Sequence, residues 1–405
     1  MTDSLHRLNT AVPNDGAPVA AIDLDALDAN ARFLTAAAGG YPIRVASKSI
    51  RCTSIIRHVL DHHPGFRGVM AFTPDEAVHL ARAGFDDLLV AYPSVDVAGI
   101  RNVAEAMATT GATIRLVVDD PAHVALISAS AGALAGTGRS IPLCMEIDLG
   151  WRPLGGLLKV GPKRSPIRTP EQAAALAAQI CATEHVELNS LLAYEGHIAG
   201  VGDIIPGRPL RQLVIRQMQA ASLKEIAARL PAVIDAVEQT LARRGAPPLE
   251  LVNGGGSGSL QRTAEVGAVT ELAAGSGLFN PVLFDSYRSL ALQPAVAYAM
   301  PVVRKPMANM ATLLGGGYPA SGVPGPDRAP TPALPTGLTF DRDEGAGEVQ
   351  SPLHGAAGLH IGDRVWLRHA KSGELFERFN EVHLVRAGNL EATVPTYRGE
   401  GRCFV

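Results

Sequence analysis

The stretch Ile43–Arg44–Val45–Ala46–Ser47–Lys48–Ser49 joins a short apolar run to a single lysine at its end. Similar runs recur along the chain, separated by alanine-rich amphipathic stretches; they are Val19–Ile22, Val69–Phe72, Leu88–Tyr92, Ile114–Val118, Ile141–Ile147, Leu188–Tyr194, Leu249–Asn253 and Ala268–Ala273. Strands that are apolar on both faces and alternate with helices are typical of a parallel sheet. About eight such units predict an α/β fold of the (β/α)8 TIM-like barrel type.

Helix starts follow several of these runs. Thr73–Pro74–Asp75–Glu76 and Thr169–Pro170–Glu171 each place a capping residue before a proline at the first helical position. In a (β/α)8 barrel, the chemistry takes place at the carboxyl ends of the strands. Lys48 and several polar residues discussed below follow predicted strands, so we expect them at that end of the barrel.

After about Asp285 the pattern changes to short strands and long loops. The strand-like runs are Ala295–Val303, Met310–Gly315, Arg364–Arg368, Glu381–Arg386 and Leu390–Pro395, and a proline- and glycine-rich stretch covers 316–335. One domain rarely exceeds roughly 250–300 residues, and this chain has 405. We therefore expect an N-terminal arm over 1–18, a barrel over 19–285 and a C-terminal β-domain over 286–405.

The composition excludes several classes of function. Hydrophobic residues make up 47% of the chain and the net charge is −3, so no basic face for nucleic acid is expected. No uninterrupted apolar stretch reaches the length of about 18 residues that a membrane helix needs, and the first residues lack the apolar core of a signal peptide. The scattered cysteines are typical of reduced thiols. We expect a soluble cytoplasmic protein.

Lys48 is unusual because it ends a largely apolar strand. Burying an ammonium group costs several kcal/mol unless the group is paired, and a desolvated lysine loses its proton more readily and attacks carbonyls better. The alternative is a lysine whose long side chain reaches solvent from the strand end. The first interpretation predicts a buried amine that forms a Schiff base.

Two small-residue clusters follow the last predicted strands. They are Gly254–Gly255–Gly256–Ser257 and, after the next strand, Ala274–Gly275–Ser276–Gly277. Glycines let a backbone approach a phosphate closely, and barrels bind phosphate in their last loops. Tight turns are the alternative. An imine-forming lysine together with a phosphate cradle indicates pyridoxal 5′-phosphate (PLP), a cofactor held through both groups.

Three further side chains follow predicted strands. Tyr194 and His197 share one short run, in which the tyrosine could stack on a cofactor ring and the histidine could transfer protons. Arg152 follows the next strand upstream and could neutralise a phenolate or a carboxylate. A rim tyrosine, a surface histidine and a rim salt bridge are the simpler interpretations, and the residues alone leave both sets open.

His369 and Lys371 lie two positions apart in the predicted β-domain. On a strand, such residues share a face, so both side chains would point into one cleft. With Glu377, Glu381 or His383 they form a set that could hold a divalent metal, but a lysine among the ligands repels a cation. We therefore expect no metal, while a metal site remains an alternative.

These residues together resemble the fold-type III PLP enzymes, whose barrels are alanine racemase-like. The resemblance is closer to the branch of D-threonine aldolase and D-serine dehydratase, and closest to bacterial proteins called amino acid deaminase/aldolase. It covers nearly the whole chain, through Ala21–Asn30, Arg44–Ser49, Ala193–His197, Val252–Ser259, Thr270–Gly277, Arg368–Lys371 and Pro395–Gly401.

The resemblance implies roles for individual residues. Lys48 resembles the Schiff-base lysine, the two glycine clusters resemble the phosphate cradle, Arg152 the arginine near the phenolic oxygen of PLP, and Tyr194 the pocket tyrosine. His369 resembles the histidine that holds a divalent metal in this branch. The chain departs from the branch at Lys371, where the metal-dependent enzymes have a cysteine or an aspartate.

The resemblance implies a PLP-dependent lyase that acts on a D-configured β-hydroxy amino acid. His369 or His197 would serve as the base for retro-aldol cleavage, and loss of the β-hydroxyl would instead give a dehydratase. The alternatives are an amino acid racemase and a non-catalytic PLP-binding protein. A homodimer is expected by analogy with the same enzymes.

Overall fold

A computed structural model describes residues 2–14, 16 and 18–404 of the chain. Two compact units are present, and each is discontinuous in sequence. The sheet unit comprises residues up to 33, 48–63 and 275–403, and the barrel unit comprises 34–47, 64–274 and the end of the chain. The sequence instead predicted one boundary near residue 285, and that domain boundary stays a prediction.

Strands form a sheet in each of the two units. In chain order they are β1 (Val19–Asp23), β2 (Ile43–Ala46), β3 (Phe66–Ala71), β4 (Asp87–Val90), β5 (Thr113–Val118), β6 (Ile141–Glu146), β7 (Val186–Ala193), β8 (Leu251–Gly254), β9 (Glu271–Ala274), β10 (Val296–Met307), β11 (Met310–Leu314), β12 (Thr331–Leu334), β13 (Thr339–Phe340), β14 (Gln350–His354), β15 (Arg364–Arg368), β16 (Glu381–Arg386) and β17 (Asn389–Pro395).

Helices follow most of the barrel strands. In chain order they are α1 (Thr2–Ala11), α2 (Leu24–Ala37), α3 (Thr53–His62), α4 (Pro74–Arg82), α5 (Val97–Thr110), α6 (Pro121–Ser130), α7 (Pro170–Cys181), α8 (Gly196–Ala199), α9 (Pro209–Arg244), α10 (Leu260–Val266) and α11 (Ser276–Phe279). Both predicted caps are confirmed, since Thr73 and Thr169 accept hydrogen bonds from the first turns of α4 and α7. Among the described residues, no helix is long and apolar enough to cross a membrane.

The barrel unit contains a closed sheet of eight parallel strands, β2 to β9. Closure is made by β2 pairing with β9, where Ile43 lies opposite Leu272. The predicted (β/α)8 barrel with a further β-domain is therefore confirmed. The assignment of the run Val19–Ile22 to the barrel is wrong: it lies in β1 of the sheet unit, where its backbone pairs with β10 and β16.

An ion-pair network centred on the buried Arg44 joins several strands of the barrel. The Arg44 side chain is 1% exposed and donates to Glu271 at 2.6 Å and to Asp87 at 2.9 Å. Arg115 donates to the same Asp87 at 2.8 Å, and Asn253 donates to Glu271 at 2.7 Å. Because an unpaired buried charge is costly, these contacts bind strands β2, β4, β5, β8 and β9 to each other.

The sheet unit is built on the order β13-β14-β11-β10-β1-β16-β17, with β15 beside β10 and β12 beside β15. Its core includes Trp366, fully buried against Ala299 and Val385. Helix α1 covers this core with Leu5 and Leu8. The N-terminal segment, predicted only as a polar arm, is therefore helical over its first part.

Candidate active site

Lys48 lies in a single turn of 3-10 helix, Ser47–Ser49, two residues after strand β2 ends. The prediction that its amine is buried is wrong, because the Lys48 side chain is exposed while Ser47 and Ser49 on either side are buried. The turn directs the long side chain outward from a buried backbone. Its carbonyl oxygen accepts from Arg51 Nε at 3.2 Å, which helps to hold the backbone of the turn in place.

Within the sheet unit, the structure brings Lys48, Ser276 and the segment 369–373 together. Ser49 Oγ lies 2.9 Å from Ser276 Oγ, and Ser372 Oγ donates to the Ser276 carbonyl at 3.3 Å. A Cβ on Gly373 would lie 1.9 Å from the Lys48 carbonyl oxygen. Only glycine therefore allows this approach, and its φ of +90° also favours glycine.

His369 and Lys371 do not lie on a strand, because β15 ends at Arg368. The expectation that they share one strand face is therefore wrong. His369 is buried, and neither ring nitrogen has a hydrogen-bond partner among the described residues. Burial, with the nearby charge of Arg368, lowers the pKa of His369 to about 3, so the ring is neutral at pH 7.

Lys371 is half-exposed and contacts two polar side chains. Its ammonium donates to Ser321 Oγ at 2.6 Å and to Glu374 at 3.1 Å. The carboxylate balances the charge of the lysine. The predicted repulsion of a metal by Lys371 is therefore smaller than that of a bare ammonium.

In the barrel unit, Gly254 is the last residue of β8, and Gly255 turns the chain with a φ of +78°. The N–H of Gly255 donates to Glu195 at 3.2 Å, and that of Gly256 donates to Ser259 Oγ at 3.1 Å. A Cβ on Gly256 would lie 3.0 Å from the Cβ of Ala199. The loop requires glycine, but two of its amides already have partners within the protein.

Tyr194 directly follows β7, and its ring packs beside this loop. A Cβ on Gly256 would lie 3.3 Å from the ring, and the Arg164 guanidinium lies 5.0 Å from the ring centroid. Burial, with the charge of Glu195, raises the pKa of Tyr194 to about 12. The phenol is therefore neutral at physiological pH and can act as a packing surface with one polar end.

His197 is the second residue of α8 and is buried. Its Nε2 lies 2.5 Å from Ser222 Oγ on α9, while Nδ1 has no hydrogen-bond partner among the described residues. Burial lowers the pKa of His197. One of its two nitrogens is thus used within the protein, unlike those of His369.

Arg152 forms the rim salt bridge that the sequence left open as its alternative. Its guanidinium lies 2.7 Å from Asp148, which also pairs with Lys159 at 3.3 Å. Burial disfavours the charged form of Asp148, yet the Gly150 N–H and Arg152 hold the pKa of this carboxyl below its usual value. A role for Arg152 in cofactor binding stays a prediction.

Outside these groups, Asp28, His58 and His63 converge in the sheet unit. The two imidazole Nε2 atoms lie 2.8 and 3.0 Å from one oxygen of Asp28, and Arg386 donates to the other oxygen at 2.9 Å. Burial works against ionisation, but these three partners hold the pKa of Asp28 well below its usual range. With a guanidinium on the carboxylate, the cluster is an ion-pair network and a poor cation site.

The chain is similar in sequence to a known protein family and to curated proteins. A family model described as the alanine racemase N-terminal domain matches residues 22–279. Two curated proteins of Paracoccus denitrificans, each named 3-hydroxy-D-aspartate aldolase, are 27% and 28% identical over 263 residues. The match covers 65% of this chain but only 60% of the length of these relatives.

Several solved structures share the fold. D-threonine aldolase from Filomicrobium marinum superposes with a TM-score of 0.73 at 21% identity and covers 95% of both chains. D-threo-3-hydroxyaspartate dehydratase from Delftia sp. HT23 gives 0.68 at 19% identity, with 94% of this chain and 97% of that chain covered. At these identities, the likeness establishes the fold.

Proposed function

Because the chain belongs to the alanine racemase N-terminal domain family, we propose that it is a PLP-dependent lyase acting on D-configured β-hydroxy amino acids. Support for the substrate class comes from the curated relatives, which are named as 3-hydroxy-D-aspartate aldolases. Their match spans three fifths of their own length, so the activity is proposed here by similarity.

The observation that carries the proposal is the place of Lys48, on a fixed turn directly after a barrel strand. Its backbone is fixed by Arg51 and by the close approach of Gly373, while its side chain reaches solvent. A primary amine on a rigid turn at the end of a barrel strand fits a covalent attachment point for an aldehyde cofactor.

When bound, PLP supplies an electron sink for the charge that develops at the substrate Cα. The protein must then hold a base near the substrate hydroxyl. Of the two histidines predicted for this role, we favour His369, since both of its ring nitrogens lack hydrogen-bond partners among the described residues. His197 already uses Nε2 against Ser222.

The remaining roles are also proposed. Tyr194 would provide a wall of the cofactor pocket, and Arg152 would lie near the phenolic oxygen of PLP. The clusters Gly254–Gly255–Gly256–Ser257 and Gly275–Ser276–Gly277 are each proposed as a phosphate-binding loop. Lys371 would take the place of a metal ligand, so that catalysis needs no divalent ion. We further propose a cytoplasmic homodimer.

The test is turnover by the purified, PLP-loaded protein with D- and L-3-hydroxyaspartate and D- and L-threonine. An aldolase releases glycine and an aldehyde, and a dehydratase releases ammonia and a keto acid. We expect one of these pairs from a D-substrate and none from its enantiomer. Conversion of one enantiomer into the other would identify a racemase, and tight PLP binding without turnover would identify a carrier.

A further inference from the structure

Glu195 is the most deeply buried acidic side chain near the glycine loop. It follows strand β7 by two residues and is 2% exposed. Among the described residues, no lysine or arginine forms an ion pair with it. A buried carboxylate destabilises the fold unless hydrogen bonds replace those it made to water. The hydrogen bonds of the Glu195 side chain therefore indicate its role.

The side chain of Glu195 accepts hydrogen bonds from the loop after β8 and from the helix that follows. One oxygen accepts from Ser259 Oγ at 2.6 Å and from Thr263 Oγ1 at 2.5 Å, and the other accepts from the Gly255 N–H at 3.2 Å. These partners are 60 to 68 positions away in sequence. Glu195 therefore joins the end of β7 to the loop and to the first turn of α10.

A second layer of hydrogen bonds extends this contact through the loop. The Gly256 N–H donates to Ser259 Oγ, and the Ser259 N–H donates to the Gly256 carbonyl at 2.8 Å. From the other side, Ala199 and Tyr194 pack closely against Gly256, since a Cβ there would lie 3.0 Å from the Ala199 Cβ and 3.3 Å from the Tyr194 ring. The loop is thus fixed between a carboxylate and an aromatic ring before any ligand binds.

We infer that Glu195 is a positioning residue that shapes the glycine loop for the phosphate of PLP. In this interpretation, the backbone N–H groups of Gly255 and Gly256 donate to Glu195 and Ser259 and are not donors to phosphate. Other groups of the protein bind the phosphate. This inference rests on the proposed function. The inference differs from the predicted phosphate cradle, in which the N–H groups of Gly255 and Gly256 would both donate to the phosphate.

The first variant is Glu195→Gln, which keeps the size of the side chain. An amide has one acceptor oxygen and one donor NH2 group, so it cannot accept from all three donors. A lost hydrogen bond to a charged group corresponds to a tenfold to hundredfold change in an equilibrium constant, roughly 1.5–3 kcal/mol. We expect the dissociation constant for PLP, measured by titrating the apoprotein, to rise by at least about tenfold.

The matched control is Glu76→Gln. Glu76 is also a fully buried carboxylate of the barrel unit and accepts a backbone hydrogen bond, from Phe72 N at 2.7 Å, but it lies at the start of α4. We expect this variant to lose stability without changing PLP affinity. The phosphorus-31 signal of bound PLP should move in Glu195→Gln and stay in place in Glu76→Gln.

A second pair of variants covers the case in which Glu195→Gln does not fold. Thr263→Val removes one donor to the carboxylate, and Thr263→Ser keeps it. We expect weaker PLP binding only in the valine variant. If the wild-type protein binds PLP while Glu195→Gln and Thr263→Val bind it with unchanged affinity and phosphorus signal, the inference is overturned. If the wild-type protein does not bind PLP, the proposed function itself fails.

Discussion

Glu146 is a buried carboxyl group whose ionisation should make the free energy of unfolding depend on pH. It is the last residue of β6 and is 4% exposed, with Arg164 at 3.6 Å as its ion-pair partner. Burial raises the pKa of Glu146 from 4.5 to about 7; Arg164 opposes this effect, while Asp119 and Asp148 add to it. The folded protein therefore binds the proton of Glu146 more tightly than the unfolded chain does.

A raised carboxyl pKa lowers stability as the pH rises. The penalty is absent below pH 4.5, grows between 4.5 and 7, and is complete above 7. One pKa unit is worth about 1.4 kcal/mol, so ionised Glu146 costs about 3 kcal/mol at pH 8. Glu146→Gln removes the ionisation. We expect the difference in the free energy of unfolding between the variant and the wild type to shift in favour of the variant, by up to about this amount, when the pH is raised from 5 to 8.

The assay is urea unfolding of wild type and Glu146→Gln at pH 5 and pH 8, with the free energy of unfolding compared at each pH. Glu105→Gln, which alters an exposed carboxylate on α5, is the control and should follow the wild type. An equal loss of stability from pH 5 to pH 8 in Glu146→Gln and wild type would refute the reasoning.

Three further predictions concern the core, the metal and the assembly. Arg44→Met should lower the free energy of unfolding by about 3–5 kcal/mol, because it leaves Glu271 buried without its main partner; a loss below about 1 kcal/mol in urea unfolding would contradict this. Dialysis against a chelator should leave turnover intact, whereas Lys371→Ala should abolish it; activity lost on chelation and restored by manganese or zinc would show a metal enzyme. Sedimentation velocity should give a dimer, and a monomer that stays fully active on dilution would count against one.

Much of the fold could be predicted because its signals are local. The apolar run at Ile43 and the capping box of Thr169 depend on neighbours only a few positions away. Val19–Asp23 has the same apolar pattern as a barrel strand, and only its non-local pairing with β10 distinguishes it. Strand β12 was missed because it contains Pro332, which an edge strand beside β15 tolerates.

The site was predicted less completely because its contacts are long-range. The sequence identified Lys48 as a candidate. It did not predict the 3-10 turn that exposes the Lys48 side chain, because the apolar run before the lysine indicates only a strand. His369 was placed on a strand that in fact ends one residue earlier, where the Arg368 guanidinium binds Asp285 at 2.7 Å. Glu195 received no role of its own, since no spacing rule joins it to Thr263.

The central claim is that Lys48 carries PLP, and the most direct measurement is peptide mapping after borohydride reduction of the purified protein. The account predicts a visible absorption band that disappears on reduction and a reduced cofactor on the peptide that contains Lys48. The variant Lys48→Arg should lack both. Reduced cofactor on another lysine, or none on any peptide from a protein that shows the band, would contradict the account.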